Sequence, residues 1–146
     1  MHKVDTLRRA LTTATNLMMI LYWCLAGALA LDLVAIDPAL MYSDFENPRV
    51  VAWNWSFFPI DMAFAILGLI AVFGSLSALT ALKFEIVSAV LMMCAGVMAI
   101  SYWLLTAEFD PSWWGVNIWL IVMGGWNLSK TTAAPTAQSV AFPKET

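Results

Sequence analysis

VAWNWSFFPIDMAFAILGLIAVFGSLSALTA, residues Val51 to Ala81, holds a single charged side chain, Asp61, in 31 positions. As a continuous α-helix it would run roughly 46 Å at about 1.5 Å per residue, against a hydrocarbon core of about 30 Å. A helix apolar on every face belongs in the core of a large protein or in lipid. A chain of 146 residues has no core of that size, so the stretch reads as a membrane span with tilt or a protruding end.

Similar stretches lie on both sides of it. An apolar run from about Ala10 to Leu31 is closed by Asp32, Asp37 and Pro38. After a short polar turn at Lys83 and Glu85, a third run covers about Ile86 to Ala107. Glu108-Phe109-Asp110-Pro111 ends it, because proline cannot continue a helix and restricts the residue before it. A fourth run extends from about Trp113 to Leu128. The whole chain is 62% hydrophobic and 12% charged, against soluble averages of roughly 45–50% and about 25%. The fold class is therefore all-α, an antiparallel four-helix transmembrane bundle of the up-down-up-down kind. Residues 1–130 form one membrane domain with spans at about 10–31, 51–81, 86–107 and 113–128. The tail 131–146, rich in Thr, Ala, Pro and Ser without apolar period, is expected to be a disordered cytoplasmic extension.

Lys3, Arg8 and Arg9 would suit the basic start of a cleaved leader, with Ala28-Leu29-Ala30 as a mimic of a cleavage site. The first run is longer than the 7–15 residues typical of a leader and is read as a retained span. With the N-terminus inside, Lys3, Arg8, Arg9, Lys83, Lys130 and Lys144 are cytoplasmic and Arg49 alone is external. That positive-inside asymmetry places both ends in the cytoplasm. The acids Asp32, Asp37, Asp44, Glu46, Glu108 and Asp110 gather outside, either as a solvated acidic face or as a cation site. The eight tryptophans cluster near span ends, where amphipathic rings suit the headgroup level.

Several chemistries have no residues to carry them. The single histidine, His2, cannot build a Ser/His/Asp set, a His-rich metal site or a bis-histidine haem site. Cys24 and Cys94 sit in apolar runs without a CxxC pair and read as small fillers. No phosphate-binding glycine loop, GxSxG or HExxH is present. No catalytic, metal or cofactor residue is assigned, and enzyme activity is not what the pattern asks for. A net charge of −3 without a basic run gives no reason to expect nucleic acid.

Asp61 is the one acid within a span. A carboxylate at depth costs a few kcal/mol on insertion scales, so it faces the bundle interior, finds a partner or carries a proton. Asn54, Asp61, Gly68 and Ser75 recur every seven residues, a polar-to-small stripe along one helix face. One reading makes Asp61 a proton carrier, a cation ligand or the polar anchor of an externally open pocket. The other makes it a helix-start acid behind Pro59 that complements exposed N–H groups. Asn117, near Trp113, Trp114 and Trp119, is either interhelical glue or a ligand contact. Asn16 and Asn127 read as interfacial, and Tyr22, Trp23, Tyr102 and Trp103 as belt or packing residues that could also line a cavity. Candidate ligand-binding residues are thus Asp61, Asn54 and Asn117, with Trp55 and Trp113 as aromatic walls.

Glu46-Asn47-Pro48, the run Ala52-Trp53-Asn54-Trp55-Ser56-Phe57-Phe58-Pro59-Ile60-Asp61, and the later Ser101-Tyr102-Trp103, Phe109-Asp110, Trp113-Trp114 and Asn117 resemble the YvaD-like family of small bacterial membrane proteins. The resemblance covers most of the chain except the tail. It implies four spans in a bacterial plasma membrane and brings no assigned activity. The expected function is a membrane protein that binds a lipid or small lipophilic ligand through an externally facing polar pocket. The alternatives are a small enzyme or proton-coupled transporter for a lipophile, and a structural subunit of a larger membrane complex or homo-oligomer.

Overall fold

The computed structural model describes residues 2–37, 41 and 44–131. Five helices follow one another: α1 (His2–Ala30), α2 (Pro48–Ser56), α3 (Phe58–Phe73), α4 (Ala78–Thr106) and α5 (Pro111–Thr131). No strand occurs among the described residues. The tail from 132 onward, expected to be disordered, and Pro38, expected to help close the first span, lie outside them.

The Val51–Ala81 stretch is not one helix. Pro59 has no N–H to give and its ring opposes the Trp55 carbonyl, so the chain breaks at Phe57 between α2 and α3. Phe57 keeps right-handed helical angles (φ −79°, ψ −23°), which makes the break an interruption within one rod. Asn47 starts α2 by accepting the Arg49 N–H at 3.1 Å, with Pro48 in the first turn.

The downstream boundary also differs from the sequence expectation. α3 stops at Phe73 instead of near Ala81, because Gly74 is extended (φ −74°, ψ 147°) and Ser77 caps a new helix by accepting the Thr80 N–H at 3.2 Å. Small side chains at Gly74, Ser75 and Ser77 hide this turn inside an apolar average. As a result α4 starts eight residues before Ile86, and Lys83 and Glu85 lie on the helix rather than in a turn. α4 ends at Ala107, which adopts the left-handed conformation (φ 57°) and lets the Glu108 N–H reach the Trp103 carbonyl at 3.1 Å. Asp110 then opens α5 by accepting the Ser112 N–H at 2.9 Å.

Three stretches are long and apolar enough to cross a membrane by length and composition: Lys3–Ala30, Pro48–Phe73 taken across the break, and Ala78–Thr106. α5, with 21 residues, is not among them and carries two amides, Asn117 and Asn127, among its four tryptophans. Large apolar side chains point outward all along the helices, among them Leu17, Leu21, Ile66, Val87, Val97, Leu105 and Val122. That much outward-facing apolar surface exceeds what a water-soluble monomer tolerates.

The helices alternate in direction. Arg8 near the start of α1 meets Glu85 of α4 and Asn127 of α5 at one end, and Trp23 meets Asp61 towards the other. α4 packs closely along α5 and along α3, and α3 along α1, whereas α1 and α5 barely touch. Phe64, Met92 and Met123 fill the centre and are fully buried. Close approach of α4 and α5 depends on Gly96 and Gly124. A methyl group on either would meet backbone of the facing helix, the Asn117 carbonyl or the Ala89 carbonyl.

Asn16 and Asn127 are not interfacial. Asn16 is completely buried and Asn127 nearly so. Asn127 is bound to Arg8, to the Thr12 hydroxyl at 3.0 Å and to the Met123 carbonyl at 2.8 Å. Arg8, read as a cytoplasmic charge, is buried and forms an ion pair with Glu85 at 2.7 Å. These residues tie the three helices together at that end.

Candidate functional site

Beside the few side-chain hydrogen bonds that join α1 and α5, a cavity of about 690 Å3 opens, walled by α1, α2, α3, α4 and α5. Its size falls within the roughly 300–1,000 Å3 typical of small-molecule sites. Four of the five residues singled out from sequence line it: Asp61, Asn54, Asn117 and Trp113. Trp55 does not. Its ring packs at 5.4 Å against Trp23 and 6.1 Å against Phe58, so it supports the wall from behind.

The break at Pro59 is what places the two polar groups. Asn54 belongs to the last turns of α2 and Asp61 to the first turn of α3, and both face inward, 4% and 6% exposed. Asp61 does sit at a helix start, as one reading required, yet its carboxylate does not cap that helix. One oxygen, Oδ2, accepts the indole N–H of Trp23 at 3.0 Å. The other, Oδ1, is buried without a hydrogen-bond partner, and so is the Nδ2 amide nitrogen of Asn54. Buried polar groups are rarely left this way, because each costs the water it has lost. Other buried polar atoms of the described residues share this state, among them both amide atoms of Asn16 outside the cavity. The Asp61 and Asn54 atoms, an acceptor and a donor, line the same cavity.

The remaining walls are aromatic or small. Trp53 stacks on Tyr102 at 3.9 Å with 22° between ring planes, which holds its indole in place. Tyr22 meets Trp23 and Trp113 edge-on at 5.2 and 6.5 Å. Ala95 and Ala99 of α4 leave space at the back. Asn117 donates to the Trp113 carbonyl one turn earlier at 2.9 Å, so its amide is already engaged by its own helix. Among the described residues no three His, Cys, Asp or Glu side chains converge. The arrangement is built for hydrogen bonding and apolar contact.

Of the seven-residue stripe, Asn54, Asp61 and Gly68 are buried, and Ser75 lies exposed beyond the end of α3. Gly68 lies against the Asn16 amide and the Ser88 hydroxyl, and Ser88 donates to the Phe64 carbonyl at 2.8 Å. Trp23, by sequence a belt or packing residue with only weak potential to line a cavity, is the residue that engages Asp61. A signal existed: Arg8, Asn16 and Trp23 are spaced by eight and seven residues, hence on one helix face.

Residues 8–134 match the Family of unknown function (DUF5360), a stretch that takes in all five helices from Arg8 onward. The chain belongs to this family. A relative within reach is the Uncharacterized protein YvaD of Bacillus subtilis (strain 168), 32% identical over 111 residues, which are 74% of this chain and 78% of that protein. The likeness read from the Ala52–Asp61 run and the Trp-rich second half therefore holds. No solved structure matches this DUF5360 chain at a significant level.

Proposed function

We propose that this DUF5360 member is a four-span protein of the bacterial plasma membrane that holds a lipid or small lipophilic molecule in the cavity between α1 and α5. The observation that carries this reading is the pair of unpartnered buried groups, Asp61 Oδ1 and Asn54 Nδ2, in an aromatic cavity of about 690 Å3. Membrane embedding is supported by the outward-facing apolar side chains and the three long apolar helices. α5 serves as the fourth span. Its 21 residues extend roughly 31 Å, and it runs along α4 for most of that length.

Orientation rests on the exposed bases. Lys3, Arg9, Lys83 and Lys130 cluster at the end where Arg8 meets Glu85, and Arg49 lies at the other. With both termini cytoplasmic, single cysteines at Glu46→Cys and Ser112→Cys, in a protein whose Cys24 and Cys94 are replaced by Ala, label with an impermeant maleimide on intact cells. Lys83→Cys and Lys130→Cys label only after the membrane is opened. The opposite pattern would reverse the orientation.

Ligand retention is read by native mass spectrometry of the protein released from mild detergent. The wild-type protein is expected to carry a small adduct, and Ala99→Trp, which fills the cavity, to lose it. Asp61→Asn keeps an oxygen for the Trp23 N–H, so its fold should cost on the order of 1 kcal/mol or less, while the adduct falls at least several-fold. An adduct unchanged in both variants would sink the cavity reading. A stoichiometric protein partner on an empty cavity would favour the accessory-subunit alternative.

A further inference from the structure

The charged residues on the cavity wall are both acids, Asp61 and Asp110, and no Lys or Arg lines it among the described residues. Asp110 is engaged in opening α5, accepting the Ser112 N–H at 2.9 Å and its hydroxyl at 2.6 Å. Asp61 keeps a buried oxygen with nothing to accept. A phosphate or carboxylate head group would bring a second negative charge beside Asp61 with no base to offset it. An N–H-bearing cation would instead make a charge-assisted hydrogen bond. It would also lie among the rings of Trp23, Trp53 and Phe57, whose faces attract cations. The Asn54 Nδ2 donor asks for an acceptor on the same molecule.

The cavity also has a side opening. Ala14 and Met18 of α1 and Val116 and Trp119 of α5 line it and are exposed on the outer surface. Trp119 crosses this seam by donating its indole N–H to the Thr15 hydroxyl at 2.9 Å. Thr12 and Asn127 join the same two helices further along at 3.0 Å, so an acyl chain would leave past Trp119, beside the exposed Met18 and Val116.

We infer that the cavity takes a single-chain amphiphile with an N–H-bearing cationic head, the head seated between Asp61 and Asn54 and the chain leaving through the α1–α5 seam. This inference rests on the cavity reading above and narrows its ligand class. An anionic or zwitterionic lipid head is disfavoured by the acids on the wall, and a small soluble amine lacks the chain that the seam accommodates.

The test compares head groups on one chain length. The full-length protein in phosphatidylcholine nanodiscs is titrated with dodecylamine, dodecanol and dodecanoate by calorimetry, with protein-free nanodiscs as blank, and with butylamine as the chainless amine. The expected result is dodecylamine binding at least tenfold tighter than the other three, with the preference over dodecanol lost in Asp61→Asn. Equal affinity for dodecanol or dodecanoate would overturn the cationic class, and equal affinity for butylamine the amphiphile. These comparisons use the wild-type protein, so they decide even if Asp61→Asn does not fold. Saturable dodecanol binding that Ala99→Trp abolishes, with no amine preference, would leave the cavity reading standing and end this inference alone. No saturable binding of any chain-bearing probe would end both.

Discussion

Glu85→Ala is expected to destabilise the protein by about 3 kcal/mol, measured as the free energy of unfolding in mixed micelles with rising dodecyl sulfate. Arg8 is 7% exposed and Glu85 30% exposed, with 2.7 Å between them. Removing the carboxylate strands a buried guanidinium whose Nε already has no partner and whose other acceptor among the described residues is Asn127. Breaking a buried pair from one side typically costs 3–5 kcal/mol. The partial exposure of Glu85, and the reach of a long arginine towards the interface, put the value at the low end. The double replacement Arg8→Met with Glu85→Leu removes both charges and should recover most of the loss. If Glu85→Ala left stability within about 0.5 kcal/mol of wild type, the three-helix clasp at this end would carry no weight.

Gly96→Val should cost a similar amount, about 3 kcal/mol, for a steric reason. A Cβ at position 96 would sit 2.6 Å from the Asn117 carbonyl oxygen and 2.8 Å from the Ile121 side chain. Backbone cannot rotate aside as a side chain can, so α5 must move away from α4 and the buried Met92 and Met123 lose contacts with their neighbours. Overpacking of this kind costs about 1–3 kcal/mol, and more where backbone has to move. Gly115→Ala, on the facing helix α5, meets nothing within 4 Å, and alanine's helix preference should make that variant neutral or up to about 1 kcal/mol more stable. Equal effects at positions 96 and 115 would show that helix propensity, not the α4–α5 contact, governs this face.

Much of the architecture is legible one residue at a time. Apolar runs, Pro111 and the acids around it, and the small residues Ala95, Gly96 and Ala99 announce helices, an end and a packing face, because hydropathy and proline geometry act locally. Pro59 likewise announces the break that α2 and α3 show. The turn at Gly74–Ser77 is harder to read, since glycine and serine barely dent an apolar average and the capping hydrogen bond from Thr80 to Ser77 has no compositional mark.

The cavity-lining residues divide in the same way. A carboxylate that must leave lipid makes Asp61 conspicuous, and a seven-residue repeat adds Asn54. Nothing local says that Asn16 and Asn127 are buried in the bundle or that Arg8 is turned inward, because an amide or a guanidinium near a span end suits an interface equally well. Trp55 and Trp23 show the same limit. Both are tryptophans within long apolar runs, and one lines the cavity while the other stands behind it. Which is which depends on the roll of α1 against the broken rod of α2 and α3.

Composition and periodicity are enough to make the chain helical and apolar over most of its length, with one acid inside a long apolar run. The tertiary structure alone decided that a cavity opens between α1 and α5, that Trp23 takes one Asp61 oxygen and leaves the other without a partner, and that Arg8 closes the opposite end with Glu85. Those outcomes join residues separated by 38 and 77 positions. They depend on how whole helices rotate and approach, and no window of sequence spans that distance.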